Sequence, residues 1–317
     1  MNVLSLFDGQ SVGRFSLKKS KIKVDNYFSS EIEEAPMIIS KDNHNDITYL
    51  GDVNNWREWE LPKIDLLIGG SPCQGFSRQG TGLNFEHPQS KLFFVFVEVL
   101  QHIKKLNPNL KFMLENVDMK KEWENVITEY MQVQPIHINS DLLLPHNRPR
   151  TYWTNIDFEI KKQRKSELED LLENVVLTEP IIKDGIVVDK SFSEKSINLV
   201  SFEDKEIRIK QPVKKGYAVA DIGDGINISF PTSKSRRGRV VKGRSSCLDT
   251  TCDIGVLDNQ RQIRRYTIRE LERLQGLPDN YTAAVSENLG KKALGNGWTA
   301  NVITEIFKGL KRKGMEQ

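Results

Sequence analysis

Three groups in this chain have the types and spacing to act chemically on a bound molecule: the Cys73 thiol, the Glu115 carboxyl, and the guanidiniums of Arg148 and Arg150. Cys73 follows Ser71-Pro72, and proline fixes its own φ while biasing the preceding residue away from helix, so the thiol sits on a stiff turn. A thiolate is the nucleophilic form of cysteine, and a carboxyl can act as general acid. Two arginines two apart on an extended segment present their side chains to one face. Singly, each is ordinary, since free cysteines are mostly buried and inert. Their meaning depends on where the chain puts them.

The elements that must position them are short apolar strands closed by glycine or acid. Ile64 to Ile68, followed by Gly69-Gly70, reads as a buried parallel strand that delivers Cys73 to the carboxyl end of an open α/β sheet, where such sheets do their chemistry. Val3 to Phe7 reads as a strand entering the turn Asp8-Gly9-Gln10-Ser11-Val12-Gly13, the entry to a Rossmann-like nucleotide site where missing side chains admit a ligand. Asn26 to Ile32 reads as a second strand, with Glu31 placed to accept from ribose hydroxyls. Ile47 to Leu50 leads into Gly51-Asp52-Val53. Lys111 to Leu114 leads into Glu115-Asn116-Val117.

After Cys73, the glycine-rich stretch Arg78 to Asn84 reads as a loop able to move. The apolar residues Leu92, Phe93, Phe96, Val97, Leu100, Ile103 and Leu106 then mark the buried face of a helix. From Phe158 to about Ile263 strand–helix alternation stops, and Ile181-Ile182, Ile186-Val187-Val188 and Val240-Val241 mark short strands. Within this region Lys234, Arg236, Arg237, Arg239, Lys242 and Arg244 put six cations into eleven residues. Laced with small residues, such a run can approach a phosphate backbone, and arginine can read guanine edges. Thr267 and Glu270 form a capping box for a helix that ends at Gly276. A last amphipathic helix follows Asn296 and Gly297.

Among 317 residues, 38% are hydrophobic and 28% charged, the composition of a folded chain with one large and one smaller domain. The net charge of +3 does not argue for nucleic acid by itself; its clustering does. No apolar run reaches membrane-spanning length, and the start carries no secretory pattern, giving an expectation of a cytoplasmic protein. The three cysteines lack metal-ligand spacing, so no metal is expected.

Taken in order, these stretches resemble the motif series of the cytosine-C5 methyltransferases, the Ser71-to-Ser77 stretch being similar to the family's nucleophile loop. In Phe7-Asp8-Gly9, in the helix beginning Leu92-Phe93-Phe94 and in the aromatic run after Arg150, the chain looks closest to animal de novo enzymes and to short phage or bacterial relatives. The resemblance implies a Rossmann-like S-adenosylmethionine-dependent domain at residues 1–157, a smaller, mostly β target recognition domain at 158–284, and a segment at 285–317 returning to the first. It implies Cys73, Glu115, Arg148 and Arg150 as catalytic, and Phe7, Asp8, Gly9, Gly13, Glu31, Ile32, Asp52, Val53, Pro72 and Asn296 as cofactor-binding. Contacts to nucleic acid fall to Gln74, Ser77, Arg236, Arg237, Arg239, Lys242 and Arg244. His146 stands where the family has glutamine, and Gly297 where it has serine or alanine. Implied partners are double-stranded DNA and a separately encoded restriction endonuclease, with the enzyme a monomer. Two alternatives stay open. The tRNA-acting branch carries a Cys-Phe-Thr tripeptide absent here, and a silent DNA-binding protein would be expected to lose Cys73, Glu115 or the arginines.

Overall fold

The computed structural model describes residues 1–72, 91–235 and 237–311, so Cys73, Gln74, Ser77 and Arg236 lie outside the described residues. The chain divides into two compact units, the first formed by residues 1–139, 149–161 and 297–317, the second by 140–148 and 162–296. The return to the first unit thus begins at Gly297 rather than at residue 285, and a nine-residue excursion, Ser140–Arg148, belongs with the second unit.

In the first unit β1 (Asn2–Leu6), β2 (Asn26–Ser30), β3 (Ile47–Tyr49), β4 (Leu66–Gly70), β5 (Lys111–Val117), β6 (Pro135–Asn139) and β7 (Pro149–Thr154) form one sheet in the order β3-β2-β1-β4-β5-β7-β6. The first five strands are parallel, and β7 runs antiparallel between β5 and β6. Strand order reverses between β1 and β4. Right-handed crossovers then place successive helices on opposite faces and open a crevice at the carboxyl ends of those two strands. On one face α3 (Lys91–Leu106) and α4 (Lys121–Met131) bury Phe93, Phe96, Leu100, Trp123 and Ile127 against Leu4, Leu67, Phe112 and Leu114. On the other, α1 (Val12–Lys19) lies against Tyr27 and Ile68 and packs with α8 (Ala300–Lys308), Ser16 and Ser20 donating to the carbonyls of Ala300 and Thr304. The remaining first-unit helix, α2 (Glu34–Asn43), connects β2 to β3.

Two element ends differ from the sequence reading. β4 continues through both glycines, because a β-carbon at Gly69 would lie 2.9 Å from the Leu6 carbonyl and 2.9 Å from the Phe96 ring. Glycine inside a strand marks such a close approach. Leu106, expected on the buried helix face, is 67% exposed at the last turn.

The second unit is mostly β, as its sequence pattern predicts. A three-stranded antiparallel sheet joins β10 (Val200–Glu203), β11 (Glu206–Lys210) and β12 (Tyr217–Ala220). A six-stranded sheet runs β14-β13-β15-β16-β9-β8 from β8 (Ile181–Lys183), β9 (Ile186–Val188), β13 (Gly225–Asn227), β14 (Arg239–Val241), β15 (Gly255–Leu257) and β16 (Gln262–Arg265). Ile186, Val188, Ile207, Ile209, Ile226 and Ile263 share its core with Phe192 and with Ile197 of the short α5 (Glu194–Ile197). The capping box of α6 (Ile268–Leu274) forms as the sequence predicts. At its other end the Gly276 and Leu277 amides donate to the Arg273 and Glu272 carbonyls, a Schellman stop with Gly276 at φ 73°. Next comes α7 (Glu287–Asn296).

Candidate active site at the strand ends

The crevice of the first unit is built by backbone before it is built by side chains. Phe7, Gly9 and Ser11 all take left-handed conformations (φ 56°, 59° and 58°), folding the chain tightly as it leaves β1. Asp8 holds this turn: its buried carboxylate accepts hydrogen bonds from the hydroxyls of Ser5, Ser11 and Tyr27 at 2.5, 2.5 and 2.8 Å. Burial raises its pKa, and the Ser11, Ser5 and Tyr27 bonds only partly oppose that rise. Asp8 therefore fixes the loop from inside. Gly13, expected to open space for a ligand, instead lets α1 press onto the sheet, since a β-carbon there would lie 2.6 Å from Ile68 and 2.9 Å from the Tyr27 hydroxyl.

Gly9 does leave an opening, with nothing within 4 Å of where its side chain would begin. Its amide donates to Glu31 Oε2 at 2.8 Å, while Glu31 Oε1 accepts from the amides of Ile32 and Glu33, both at 2.8 Å. Burial raises the Glu31 pKa; the three amides pull it back and the nearby Asp8 charge adds to the rise. A carboxylate offers about four lone-pair sites, so with three amides bound Glu31 retains acceptor capacity for about one more donor, on Oε2. Beside it Ile32 is 69% exposed, an apolar surface at the edge of the crevice. Asp52 caps a short 3₁₀ helix, Val53–Glu58, through one carboxylate oxygen, Oδ1, which accepts from the Asn54 amide at 2.9 Å. The Val53 side chain is buried in the core.

Glu115 lies within β5, with Gly70 as its partner across the ladder on one side and Tyr152 on the other. Arg150, two residues from Tyr152 on the same face of β7, reaches diagonally so that its Nε stands 3.0 Å from Glu115 Oε1. Trp298 Nε1 donates to Glu115 Oε2 at 3.1 Å. Both partners of this ion pair are largely shielded, with side chains 13% and 11% exposed. Asn116 donates to Ser71 Oγ at 3.2 Å, tying β5 to the turn that carries Pro72. Pro72 is half-buried and is bonded directly to Cys73.

Arg148, expected to share a face with Arg150, has different partners from it. It precedes β7, is 3% exposed, and donates to the carbonyls of Leu248 and Gly295 at 2.9 and 2.8 Å in the second unit. His146 is fully buried there, its Nδ1 3.1 Å from the Leu274 carbonyl and its Nε2 accepting from the Leu248 amide at 3.4 Å. That arrangement calls for a neutral ring with the proton on Nδ1. Asn296 closes α7 in the second unit and is exposed.

The basic run is divided in its use. Lys242 bonds Asp221 and Asp224, both at 2.7 Å; burial opposes its charge, but the two carboxylates outweigh it and raise its pKa. Arg244 pairs with Asp141. Arg237 is half-buried, and Arg239 is exposed. Trp298 is the site residue that the motif reading passes over. The signal for it was Gly70, a second glycine in a strand, whose β-carbon would meet that indole at 2.9 Å.

A doubly wound sheet with a glycine turn, an acid after the second strand and a carboxylate–arginine pair near the strand ends is the arrangement in which open α/β sheets take ligands at the switch point. The chain belongs to the C-5 cytosine-specific DNA methylase family, whose model matches residues 1–312. It is thus a DNA (cytosine-5-)-methyltransferase, and membership implies S-adenosylmethionine as methyl donor. It is 27% identical to the Type II methyltransferase M1.ScrFI of Lactococcus lactis subsp. cremoris, over 96% of this chain and 76% of that protein. It is 28% identical to M.HpaII of Haemophilus parainfluenzae, over 98% and 89%. Among solved structures, a protein assigned as a DNA modification methyltransferase encoded within an E. coli prophage superposes with TM-score 0.64 at 18% identity, covering 98% of this chain and 99% of that one. The S. pombe Dnmt2 methyltransferase gives TM-score 0.62 at 16%, with the same coverage. Among the described residues no cluster suited to a metal ion occurs, and no helix is long and apolar enough to cross a membrane.

Proposed function

We propose that this enzyme methylates cytosine within a short sequence of duplex DNA through a covalent bond between Cys73 and C6 of a base turned out of the helix. The observation that carries the reading is Glu115, fixed by Arg150 and Trp298 beside the strand end that leads to Cys73. Cytosine C5 is too electron-poor to attack a methyl donor unaided. Addition of the Cys73 thiolate to C6, with Glu115 giving a proton to N3, makes C5 an enamine-like nucleophile. C5 then takes the methyl group, whose sulfonium carrier is left as a neutral thioether; a base removes the C5 proton, the C6–S bond breaks to release Cys73, and N3 returns its proton to Glu115. Arg150 holds both Glu115 and the base, at O2. Arg148 contributes from the second unit by fixing the residues around it.

The crevice fits S-adenosylmethionine, which supplies a methyl group on a sulfonium centre. The open Gly9 turn admits it, Glu31 accepts a ribose hydroxyl, and exposed Ile32 and partly buried Phe7 offer apolar surface to its adenine. Asp52 keeps an oxygen for the adenine amino group; Pro72 and Val53 complete the first unit's proposed set, and Asn296 of the second unit is proposed from the resemblance alone. Because C5 and C6 are stacked in a duplex, the base must be extruded, at a cost of a few kcal/mol offset by backbone contacts. Those contacts are assigned to Gln74, Ser77, Arg236, Arg237 and Arg239, and to Lys242 and Arg244, which are held by Asp221, Asp224 and Asp141. By likeness to Type II methyltransferases, the enzyme acts as a cytoplasmic monomer that protects DNA from a separately encoded nuclease.

Conversion sequencing of DNA from a methylation-free host expressing the protein tests this. Protected cytosines in one short motif, absent with Cys73→Ser, are expected. No protected cytosine in DNA would overturn the reading and direct the same assay to tRNA.

A further inference from the structure

We propose that Trp298 is a positioning residue for Glu115: its indole N–H sets the carboxylate's plane, so the chain's C-terminal segment controls the turnover step. The catalytic half of this inference rests on the function proposed above. Each Glu115 oxygen has its own donor, Arg150 Nε on Oε1 at 3.0 Å and Trp298 Nε1 on Oε2 at 3.1 Å. Two donors from different strands and segments leave the carboxylate one orientation. A proton delivered to a ring nitrogen needs its donor within hydrogen-bonding reach and aligned, and such alignment acts on the rate of reaction rather than on binding.

The surroundings are shaped to this bond. At Gly70 a β-carbon would lie 2.9 Å from Trp298 Nε1 and 3.2 Å from Glu115 Oε2, so the missing side chain clears the space the hydrogen bond occupies. At Gly13 a β-carbon would lie 3.4 Å from the far edge of the same indole. Trp298 directly precedes Thr299, the N-cap position of α8, and α8 is fastened to α1 through the Ser16 and Ser20 hydroxyls.

The test uses the full-length enzyme. Trp298→Phe keeps a ring over Gly70 and removes the N–H. It should lower kcat about tenfold while leaving KM for S-adenosylmethionine within about twofold, as expected when one hydrogen bond to a charged group is lost from the reacting complex. An unchanged kcat, or a loss confined to KM, overturns the proposal. A second readout is independent of activity. In ¹⁵N-labelled protein with five tryptophans, the indole signal absent from Trp298→Phe is that of Trp298. Glu115→Ala should move this signal more than the other four; if it does not move, the hydrogen bond is refuted. Wild-type protein that shows the coupled signal but leaves DNA unmethylated would refute the functional reading and the turnover claim, while the Trp298–Glu115 clamp stands.

Discussion

In the first unit, charged side chains converge on the carboxyl edge of a parallel sheet; in the second, the same residue types are turned on one another. Arg150 meets the Glu115 carboxylate at the crevice, whereas Arg148, two residues earlier, is spent on two backbone carbonyls. Arg264 makes the contrast stronger: 1% exposed, it bridges Asp258 and Glu270, both at 2.8 Å, while Glu270 also completes the capping box of α6. Glu272, fully buried, accepts from the amides of Asn280 and Thr282. A charge is costly to bury unless paired and hydrogen-bonded, so such networks specify one arrangement of irregular chain. The second unit, built of short strands and turns, uses its charges in this way. The first, built on a regular sheet, spends Asp8 on its own turn but brings Glu31, Glu115 and Arg150 to the strand ends.

The largest effect that sharpens this comparison belongs to Glu115→Gln, which should lower turnover by a thousandfold or more, about the upper range for losing a general acid, with donor binding retained. Single-turnover methylation beside donor titration measures both.

Next come the two arginines. Arg150→Ala should cost about a hundredfold in kcat and, by leaving the shielded Glu115 carboxylate without its ion-pair partner, some stability as well. Arg148→Ala leaves two buried carbonyls without their donor and should destabilise by about 2–4 kcal/mol. Urea unfolding and steady-state rates, measured on both variants, distinguish them; a stability loss for Arg150→Ala and none for Arg148→Ala would break the comparison.

A smaller effect separates exposed from paired cations. Arg239→Ala should reduce the slope of log binding constant against log salt by about one, as for a lost phosphate contact. Lys242→Ala, whose partners are Asp221 and Asp224, should leave that slope unchanged. Filter binding across salt concentrations gives both slopes.

The smallest effect concerns Asp8. A carboxyl whose folded-state pKa is raised binds more protons folded than unfolded, so its contribution to stability falls as pH rises. Relative to Asp8→Asn, wild-type stability should therefore decline as pH climbs above the ordinary carboxylate value of 3.8 through the raised folded value. Paired denaturation curves over that range measure the difference.

Much of the first unit was legible because its strands are short apolar runs and each ends in a residue type that a strand end can use. Val3 to Leu6, Asn26 to Ser30 and Leu66 to Gly70 form adjacent parallel strands, and Glu31 and Glu115 lie at or near the carboxyl ends expected of them. What the sequence hid was the identity of side-chain partners. Nothing local says that Asp8 will be consumed by Ser5, Ser11 and Tyr27, or that Gly13 makes room for Ile68 rather than for a ligand. Nor does spacing along an extended segment say that Arg148 will be taken up by the carbonyls of Leu248 and Gly295 while Arg150 meets Glu115. In the second unit, strand placement followed β-branched pairs, but Lys242 and Arg244 looked available in sequence because Asp221, Asp224 and Asp141 are distant in the chain.

The most direct test of the central claim is capture of the covalent intermediate. A duplex carrying 5-fluorocytosine at the target position is incubated with the enzyme and S-adenosylmethionine; fluorine replaces the proton whose removal would release the thiol. A denaturation-resistant complex, with its crosslink mapped by mass spectrometry to the peptide containing Cys73 and absent with Cys73→Ser, is the predicted result. Methylation of the ordinary duplex at full rate, with no adduct on its fluorinated counterpart, would contradict it.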